Sequence, residues 1–536
     1  MQQLAAPAGF LGPFRTDELA RTLYAEGAGI FRIIPMAVAA PADTGDLVRL
    51  VRWAAERSTP LIPRGAGSGM PGGNVGPGVV VDLTHGFRAP PVVDAERRTI
   101  RAAAGLTYRD VNGAAVAHGL RLPPDPSSGA FCTVGGMVAT NAAGSRSHKY
   151  GAVRAWVNGL SFVTADGEAG HSGTAAPRHR KTAAEERFEA EVVPWLRSAG
   201  PALERARPAT RKNSSGYHFA ATDDALVREL LVGSEGTLAL ITDVEFRLAP
   251  LPEEPSTLLV TLRSLDDIAP AIAALEPFQP AAIELLDRTY LDFVRAAAAS
   301  RVPAETEAVL LVEFEHVAQE AAGALAAVAS STVFAASAEA ASRLWELRHL
   351  ASPILAGLPD GLRSLQVVED GCVPLARLSE YIGGLRRIAA DLAFEIVIFG
   401  HAGDGHVHAN LLADVRAADL AARLERCLGE TSELQIALGG TTAGEHGDGR
   451  LRAGWLEPRC GATYVAACRR VKHAFDPGGI LNPGVKLPDP GGPTITAERL
   501  KVGAGAPAVP EKVAQALREI ERTAAYGLSR LDLLQP

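Results

Sequence analysis

The stretch Arg64 to Gly78, RGAGSGMPGGNVGPG, holds seven glycines and two prolines. Such a run cannot propagate a helix, because each Gly costs about 1 kcal/mol and each Pro about 3 kcal/mol relative to Ala. TPLIP precedes it and the β-branched VVVDL follows, and both read as strands. The chain is therefore committed here to a strand, a glycine loop and another strand. Within the loop, Gly67-Ser68-Gly69-Met70-Pro71-Gly72 formally matches the GxGxxG spacing. That fingerprint works when its glycines open a helix whose first amides hold a pyrophosphate. Pro71 and a strand follow instead, which disfavours NAD in a Rossmann site. A nest of successive backbone amides can still approach a phosphate without a helix.

The rest of the chain sets the scale. With 536 residues, 47% of them hydrophobic and 21% charged, it can bury a large core, and its length favours two or three packing units. A net charge of −8 with no long basic run argues against binding to a phosphate backbone, so no nucleic-acid partner is expected. The five cysteines, Cys132, Cys372, Cys427, Cys460 and Cys468, form no CxxC pair and read as reduced thiols of a cytoplasmic protein. The N-terminal MQQLAAPAGF has no signal-peptide pattern. The longest uncharged stretches, 126–145 and 321–338, are too weakly apolar for a transmembrane segment; membrane association, if any, would be peripheral.

Along the chain, IIPMAVAAP reads as a strand and PADTGDLVRLVRWAAERS as a helix capped by Asp43 or Thr44, with Leu47, Leu50, Val51 and Ala54 on one face. TIRAAAGLTYRDVNGAAVAHGL reads as strand then helix, and Arg121 to Trp156 as a long loop-rich stretch. Gly167 to Phe188 reads as an exposed, mobile loop. The alternation in LVGSEGTLALITDVEFRLAPLP closes the first half near Pro250. Beyond it TLLVTLRS, DIAPAIAALEP, AAIELLDR and AVLLVEFE read as strand, helix, strand, helix of a separate antiparallel α+β domain. FDPGGILNPG is a turn-rich closing segment, and 510–523 an amphipathic helix.

A second signal is FGHAGDGHVHANLL, 399–412. His401 precedes a tight turn, and His406 and His408, two apart, share one face of a strand. His401 can therefore meet His408 across the turn. In GTTAGEHGDGR, 440–450, Glu445 and His446 sit between glycines that permit close approach. Two His and one carboxylate make a zinc-type set with open positions, with His406 the weakest member, facing solvent. Taken alone, these residues also suit a zinc hydrolase.

PRGAGSG (63–69) and PPDPSS…TVGGMVATNAAG…KYG (123–151), with RKNSSGY (211–217) and VGSEGTLALIT (232–242), resemble the FAD-binding domain of the vanillyl-alcohol oxidase/para-cresol methylhydroxylase superfamily. The resemblance implies an α+β fold. A two-subdomain FAD-binding domain of the para-cresol methylhydroxylase type (1–250) would precede an α+β cap with an antiparallel sheet (251–470). A segment returning to the FAD domain (471–500) and a helical tail (501–536) would follow. It also implies FAD contacts from Arg64, Gly65, Ala66, Gly67, Ser68, Gly69, Pro124, Ser127, Gly135, Gly136, Thr140, Asn141, Gly144, Gly151, Gly236 and Ile241. Some members attach the flavin covalently through a His beside the first loop. Ala66 to Pro71 contains none, so non-covalent FAD is expected.

GHAGDGHVH and AGEHG resemble the hallmark motifs of the D-2-hydroxyacid dehydrogenase branch of that superfamily. The resemblance implies oxidation of a D-lactate-like 2-hydroxy acid to the 2-oxo acid. His401, His408 and Glu445 would hold a divalent metal, zinc by expectation, with His446 as base and Asn410 near the substrate. In LWELR, Arg348 would grip the substrate carboxylate, assisted by Ser352. VVEDGCVP (367–374) matches the branch too, but lacks the basic residue that some hydroxyglutarate enzymes place before it; Arg363 is the stand-in. Other features look like members fused to an iron–sulfur half whose cysteine clusters are not in this sequence. Electrons would then leave to a quinone, a cytochrome or a partner protein. An O2-using oxidase and a flavin-binding subunit of a larger complex are the rival readings, and a homodimer is left open.

Overall fold

The architecture is that of a computed structural model describing residues 4–173, 180–219, 226–297, 302–359, 361–489, 493–523, 525–526 and 529–534. The first unit begins with a small sheet. Strand Val79–Asp82 lies parallel to both Ala37–Ala39 and Leu61–Arg64, and Phe14–Arg15 adds an antiparallel edge. The crossover helix Thr44–Glu56 is capped by Asp43, whose side chain accepts from the Asp46 amide at 2.7 Å. It buries Leu47, Leu50, Val51 and Ala54, the face that the helical period selects. The glycine loop leaves strand Leu61–Arg64 and enters strand Val79–Asp82, as expected from the flanking β-branched residues.

A second, five-stranded antiparallel sheet follows, in the order 92–94, 99–103, 239–247, 157–164, 169–173. Strand Ala239–Arg247 therefore sits between strands from much earlier in the chain, and the VGSEGT turn before it lies beside the glycine loop. The loop-rich stretch contains a helix, Val134–Thr140, capped by Thr133. Two sequence expectations are corrected here. Within 167–188, Ala169–Gly173 is an edge strand paired with 159–163, and Ala183–Arg187 is a helix with a full Thr182/Glu185 capping box; residues 174–179 lie outside the described residues. AVLLVEFE is no helix: Ala308–Phe314 is a strand between 256–262 and 282–287. Its near-continuous burial hides the alternation that would have marked it.

The second unit is an antiparallel sheet in the order 331–335, 256–262, 308–314, 282–287, 395–401, 406–414, 362–365, with Gly371–Cys372 pairing onto 406–414. Helices Ile268–Leu275, Leu378–Asp391 and Leu420–Ala437 cover one face, and Arg288–Ala297 and Ala338–His349 the other. From Leu456 the chain packs back into the core of the first unit. Helix Ala462–Phe475 buries Tyr464, Val465, Cys468, Val471 and Phe475 there, and the Leu61 amide donates to the Ile480 carbonyl at 2.8 Å. Helix Glu511–Thr523 sets Val513 and Leu517 against Ile62 and Val80 under the parallel sheet. Among the described residues no helix is long and apolar enough to cross a membrane.

Candidate active site

The histidine hairpin is formed by the fifth and sixth strands of the second unit's sheet. Strand Glu395–His401 turns through Ala402–Asp404 and Gly405, which takes a left-handed φ of +68°, into His406–Asp414. Across the ladder His401 faces His406, while His408 faces Phe399. His408 meets His401 on the diagonal, with the ring nitrogens Nε2 3.2 Å apart and the rings edge-on. Glu445, on the return turn, brings Oε1 to 3.2 Å from His401 Nε2 and 3.5 Å from His408 Nε2. The partners of the far nitrogens fix the tautomers. His401 Nδ1 faces Glu284 Oε1, and His408 Nδ1 lies 2.7 Å from the Glu369 carbonyl, so each Nδ1 is placed to donate. Both Nε2 lone pairs then converge on one point beside a carboxylate, with outer partners of the kind that orient metal-binding imidazoles.

One ligand atom from each of His401, His406, His408 and Glu445 fits within a 4.8 Å span. His406 does not face solvent, as the sequence reading expected; it is wholly buried. Its Nε2 lies 3.0 Å from Asp370 Oδ1 and its Nδ1 3.4 Å from Lys212 Nζ, so it buttresses the cluster from behind. Asn410 follows His408 on the same buried face. His446 stacks on His408, with ring centroids 5.3 Å apart, and is the most exposed imidazole of the group. Its Nδ1 lies 3.2 Å from Glu369 Oε1, which Arg452 also holds at 2.5 Å. Arg348, from helix Ala338–His349, sets Nε 3.0 Å from Glu284 Oε2 and lies over the Phe399 ring. Among the described residues its two terminal nitrogens have no partner. The side chain of Ser352 lies outside the described residues, and Arg363 sits on strand Leu362–Leu365, donating to its neighbour's carbonyl.

The charges are mutually arranged. Burial pushes the Glu284 carboxyl up, but His401 and Arg348 outweigh it and bring it down to about 2. Burial works against charge on His401 too, yet Glu284 raises it. Burial, with Lys212 and His401 nearby, holds His406 well below the usual imidazole range, and burial with His406 and His401 does the same for His408. Against burial, Lys212 and His401 keep Glu445 well below the carboxylate range. A metal ligand set requires neutral imidazoles and an anionic carboxylate; His408 and Glu445 are held in those forms, whereas Glu284 favours the charged form of His401, which would give up its Nε2 proton to a bound cation. His446 is raised to about 9, because Asp370, Glu369 and Glu445 outweigh its burial.

A cavity runs from the glycine loop to this cluster. Arg64, Gly65, Ala66, Gly67, Ser68, Gly69, Ser127, Gly135, Gly136, Thr140, Gly236 and Ile241 line it, and Glu445 and His446 close one end. Among the described residues, nothing accepts from the amides of Ala66, Gly67, Ser68 or Gly69. Four successive amides without a partner among the described residues, on residues that line the cavity, are a donor set that suits a pyrophosphate, so the residues fit the FAD expected there. Arg64 lines the cavity too, and its buried guanidinium donates to the Tyr24, Glu26 and Asn74 carbonyls, fixing the loop. Pro124, Asn141, Gly144 and Gly151 lie outside the lining; Asn141 caps helix Val134–Thr140 in the left-handed region and receives the Arg154 amide.

Sequence reasoning missed the second layer. Glu284, Glu369, Asp370, Lys212 and Arg452 are buried charges that touch the histidine cluster. Lys212 and the Glu369–Asp370 pair lay in segments that had been singled out, RKNSSGY and VVEDGCVP. A second buried knot, Lys486 between Glu235 and Asp448 at 3.1 and 3.0 Å, ties the VGSEGT turn to the GEHGDG turn.

Comparison with known proteins accords with this geometry. Residues 35–173 match the FAD binding domain family, and 251–485 match the C-terminal domain of FAD linked oxidases. The chain is 31% identical to the glycolate oxidase subunit GlcD of Bacillus subtilis (strain 168) over 481 residues, 88% of this chain and 92% of that protein. It is 31% identical to the D-lactate dehydrogenase of Archaeoglobus fulgidus over 454 residues, 83% and 90% of the two chains. The solved 4-ethylphenol oxidase from Gulosibacter chungangensis superposes with a TM-score of 0.62 at 15% identity, covering 89% of this chain and 94% of that one, a likeness of fold alone. With both characteristic domains in order and a glycine-lined cavity ending at the histidine cluster, the chain belongs to the FAD-linked oxidase family of enzymes.

Proposed function

We propose that this enzyme oxidises a D-2-hydroxy acid of the D-lactate type to its 2-oxo acid, using non-covalent FAD and a divalent cation, zinc in the first instance. The carrying observation is the convergence of two imidazole Nε2 atoms and Glu445 at the end of the glycine-lined cavity. FAD supplies the two-electron acceptor, and the cation supplies Lewis acidity that makes the substrate hydroxyl easier to deprotonate. The terminal nitrogens of Arg348, without a partner among the described residues, suit a two-pronged grip on the substrate carboxylate, and Glu284 and Phe399 hold that guanidinium in place. Glu369 at Nδ1 leaves Nε2 of His446 as the nitrogen that would receive the hydroxyl proton, once a neighbouring cation has lowered the imidazole below the value of about 9 that Asp370 and Glu369 sustain. Asn410, on the same strand face as His408, would border the substrate.

Anaerobic mixing of the flavin-loaded protein with D-lactate, L-lactate, D-2-hydroxyglutarate and glycolate tests this reading. Bleaching of the flavin absorbance by D-lactate and not by L-lactate is expected, and His446→Ala should keep its FAD while bleaching ~10²–10⁴-fold more slowly. No bleaching by any of the acids, or bleaching by L-lactate alone, refutes it. A second reading, that the chain is the flavin-binding subunit of a larger complex, is favoured by the similarity to a protein named as a glycolate oxidase subunit. It would reduce its flavin in the same way and pass electrons to an artificial acceptor, but need a second protein to reach a quinone or cytochrome.

A further inference from the structure

Lys212 is a buried cation of the cluster to which the proposed chemistry gives no part, and it contacts Glu445 directly. It comes from the RKNSSGY segment of the first unit and reaches the return turn of the second. Its side chain is 3% exposed, and Nζ lies 2.7 Å from Glu445 Oε2. The remaining partners are Asp404 Oδ2 at 3.6 Å and His406 Nδ1 at 3.4 Å. The other oxygen of the same carboxylate, Oε1, faces His401 and His408. The two oxygens are thus divided, one toward the imidazoles and one toward the ammonium. With Oε2 engaged, Glu445 is left one oxygen to give a metal. A charge-assisted hydrogen bond from an ammonium also draws negative charge toward itself, so less of it reaches a cation at Oε1.

We propose that Lys212 is a positioning residue that makes Glu445 a one-oxygen, weakened ligand, so that the bound cation keeps more of its charge for the substrate hydroxyl and is held less tightly. The inference rests on the metal reading above. Its consequence has an unusual sign. An ion pair that merely joined the two units would, on removal, loosen the Glu445 turn and weaken metal binding. A charge that drains a ligand and repels the neighbouring cation would, on removal, let the metal bind more tightly while making it a poorer Lewis acid.

The test uses the full chain with FAD bound, stripped of metal by dialysis against a chelator and titrated with Zn²⁺ in competition with a chromophoric zinc chelator. Lys212→Met, of similar length and without charge, should bind Zn²⁺ about 10-fold more tightly than wild type. It should turn over about 10-fold more slowly at saturating Zn²⁺, with its flavin spectrum unchanged. Lys212→Gln, which can still donate to Oε2, should tighten binding in the same direction and serves if the Met variant does not fold. Lys212→Arg should restore wild-type affinity. Zinc uptake by wild type with equal or weaker binding in both uncharged variants overturns this inference alone. A wild type that takes up no Zn²⁺ overturns the metal reading and the inference together.

Discussion

Glu284 lies mid-strand in AIELLDR, where an isolated acid in a buried run gives no hint of what it touches. It is nearly inaccessible, and its two oxygens are divided between His401 and Arg348. Replacing it with Ala would leave a guanidinium and an imidazole with no counter-charge in the interior. Removing one member of a buried pair costs about 3–5 kcal/mol, and removing the outer partner of a metal-binding His costs ~10–100-fold in metal affinity. Glu284→Ala should therefore lower the melting temperature and the zinc content together, read by calorimetry and by elemental analysis; full zinc retention would deny Glu284 its orienting role. At this scale the sequence was partly legible. His401, His408, Glu445 and His446 stood out because glycine turns isolate them, and Arg348 because a resemblance pointed to it. Glu369, Asp370 and Lys212 were hidden. Their role depends on contacts between segments tens to hundreds of residues apart, and local spacing carries no trace of those.

Helix Val134–Thr140 shows the same limit one level up. Its seven residues, VGGMVAT, include two glycines that argue against a helix by propensity, and the sequence reading left the region as loop. Tertiary packing overrides propensity here. Thr133 caps the first turn, and a Cβ on Gly135 would come within 2.7 Å of the Ala104 Cβ and 2.9 Å of the Ala104 carbonyl. The glycines are what let the helix press against the neighbouring strand and offer its backbone to the cavity. Gly135→Val should push the helix away from strand Thr99–Ala103, cost about 1–3 kcal/mol as overpacking does, and yield protein purified with much less flavin. The ratio of visible flavin absorbance to protein absorbance measures it; normal flavin content would contradict the packing argument. The misread strand Ala308–Phe314 fails for the opposite reason, being so uniformly buried that neither period survives.

At the scale of the molecule, the two units are held by charge as well as by packing. Glu315, just past the end of strand Ala308–Phe314, takes Arg121, Lys149 and Tyr150 from the first unit, and Arg146 binds Glu313 on that strand at 2.7 Å. Burial pushes the Glu315 carboxyl up, but Lys149, Tyr150 and Arg121 more than offset it and leave it below its ordinary 4.5. A depressed carboxylate contributes stability that is complete above its unfolded value and is lost as pH falls below it. The melting temperature of Glu315→Gln should therefore lie below wild type at neutral pH, and the two should approach each other beneath pH ~4.5; a gap that stays constant down to pH ~3 would place the stabilisation elsewhere. The order of the two domains was legible from the glycine loops and the histidine hairpin, whereas the contacts between them were not.

The return of the chain after the histidine and glutamate turns has a consequence for how the protein can be divided. Because Tyr464, Val465, Val471 and Phe475 complete the hydrophobic interior begun by the first 250 residues, the cap is threaded through its host as a long insert and does not simply follow it. A fragment stopped at the apparent hinge near Pro250 would expose the groove those side chains fill. The mirror fragment starting there would carry a helix with nothing to lie on. The glycine-lined cavity and the histidine turn are thus two stretches of one closed circuit, and neither half should fold when the other is cut away.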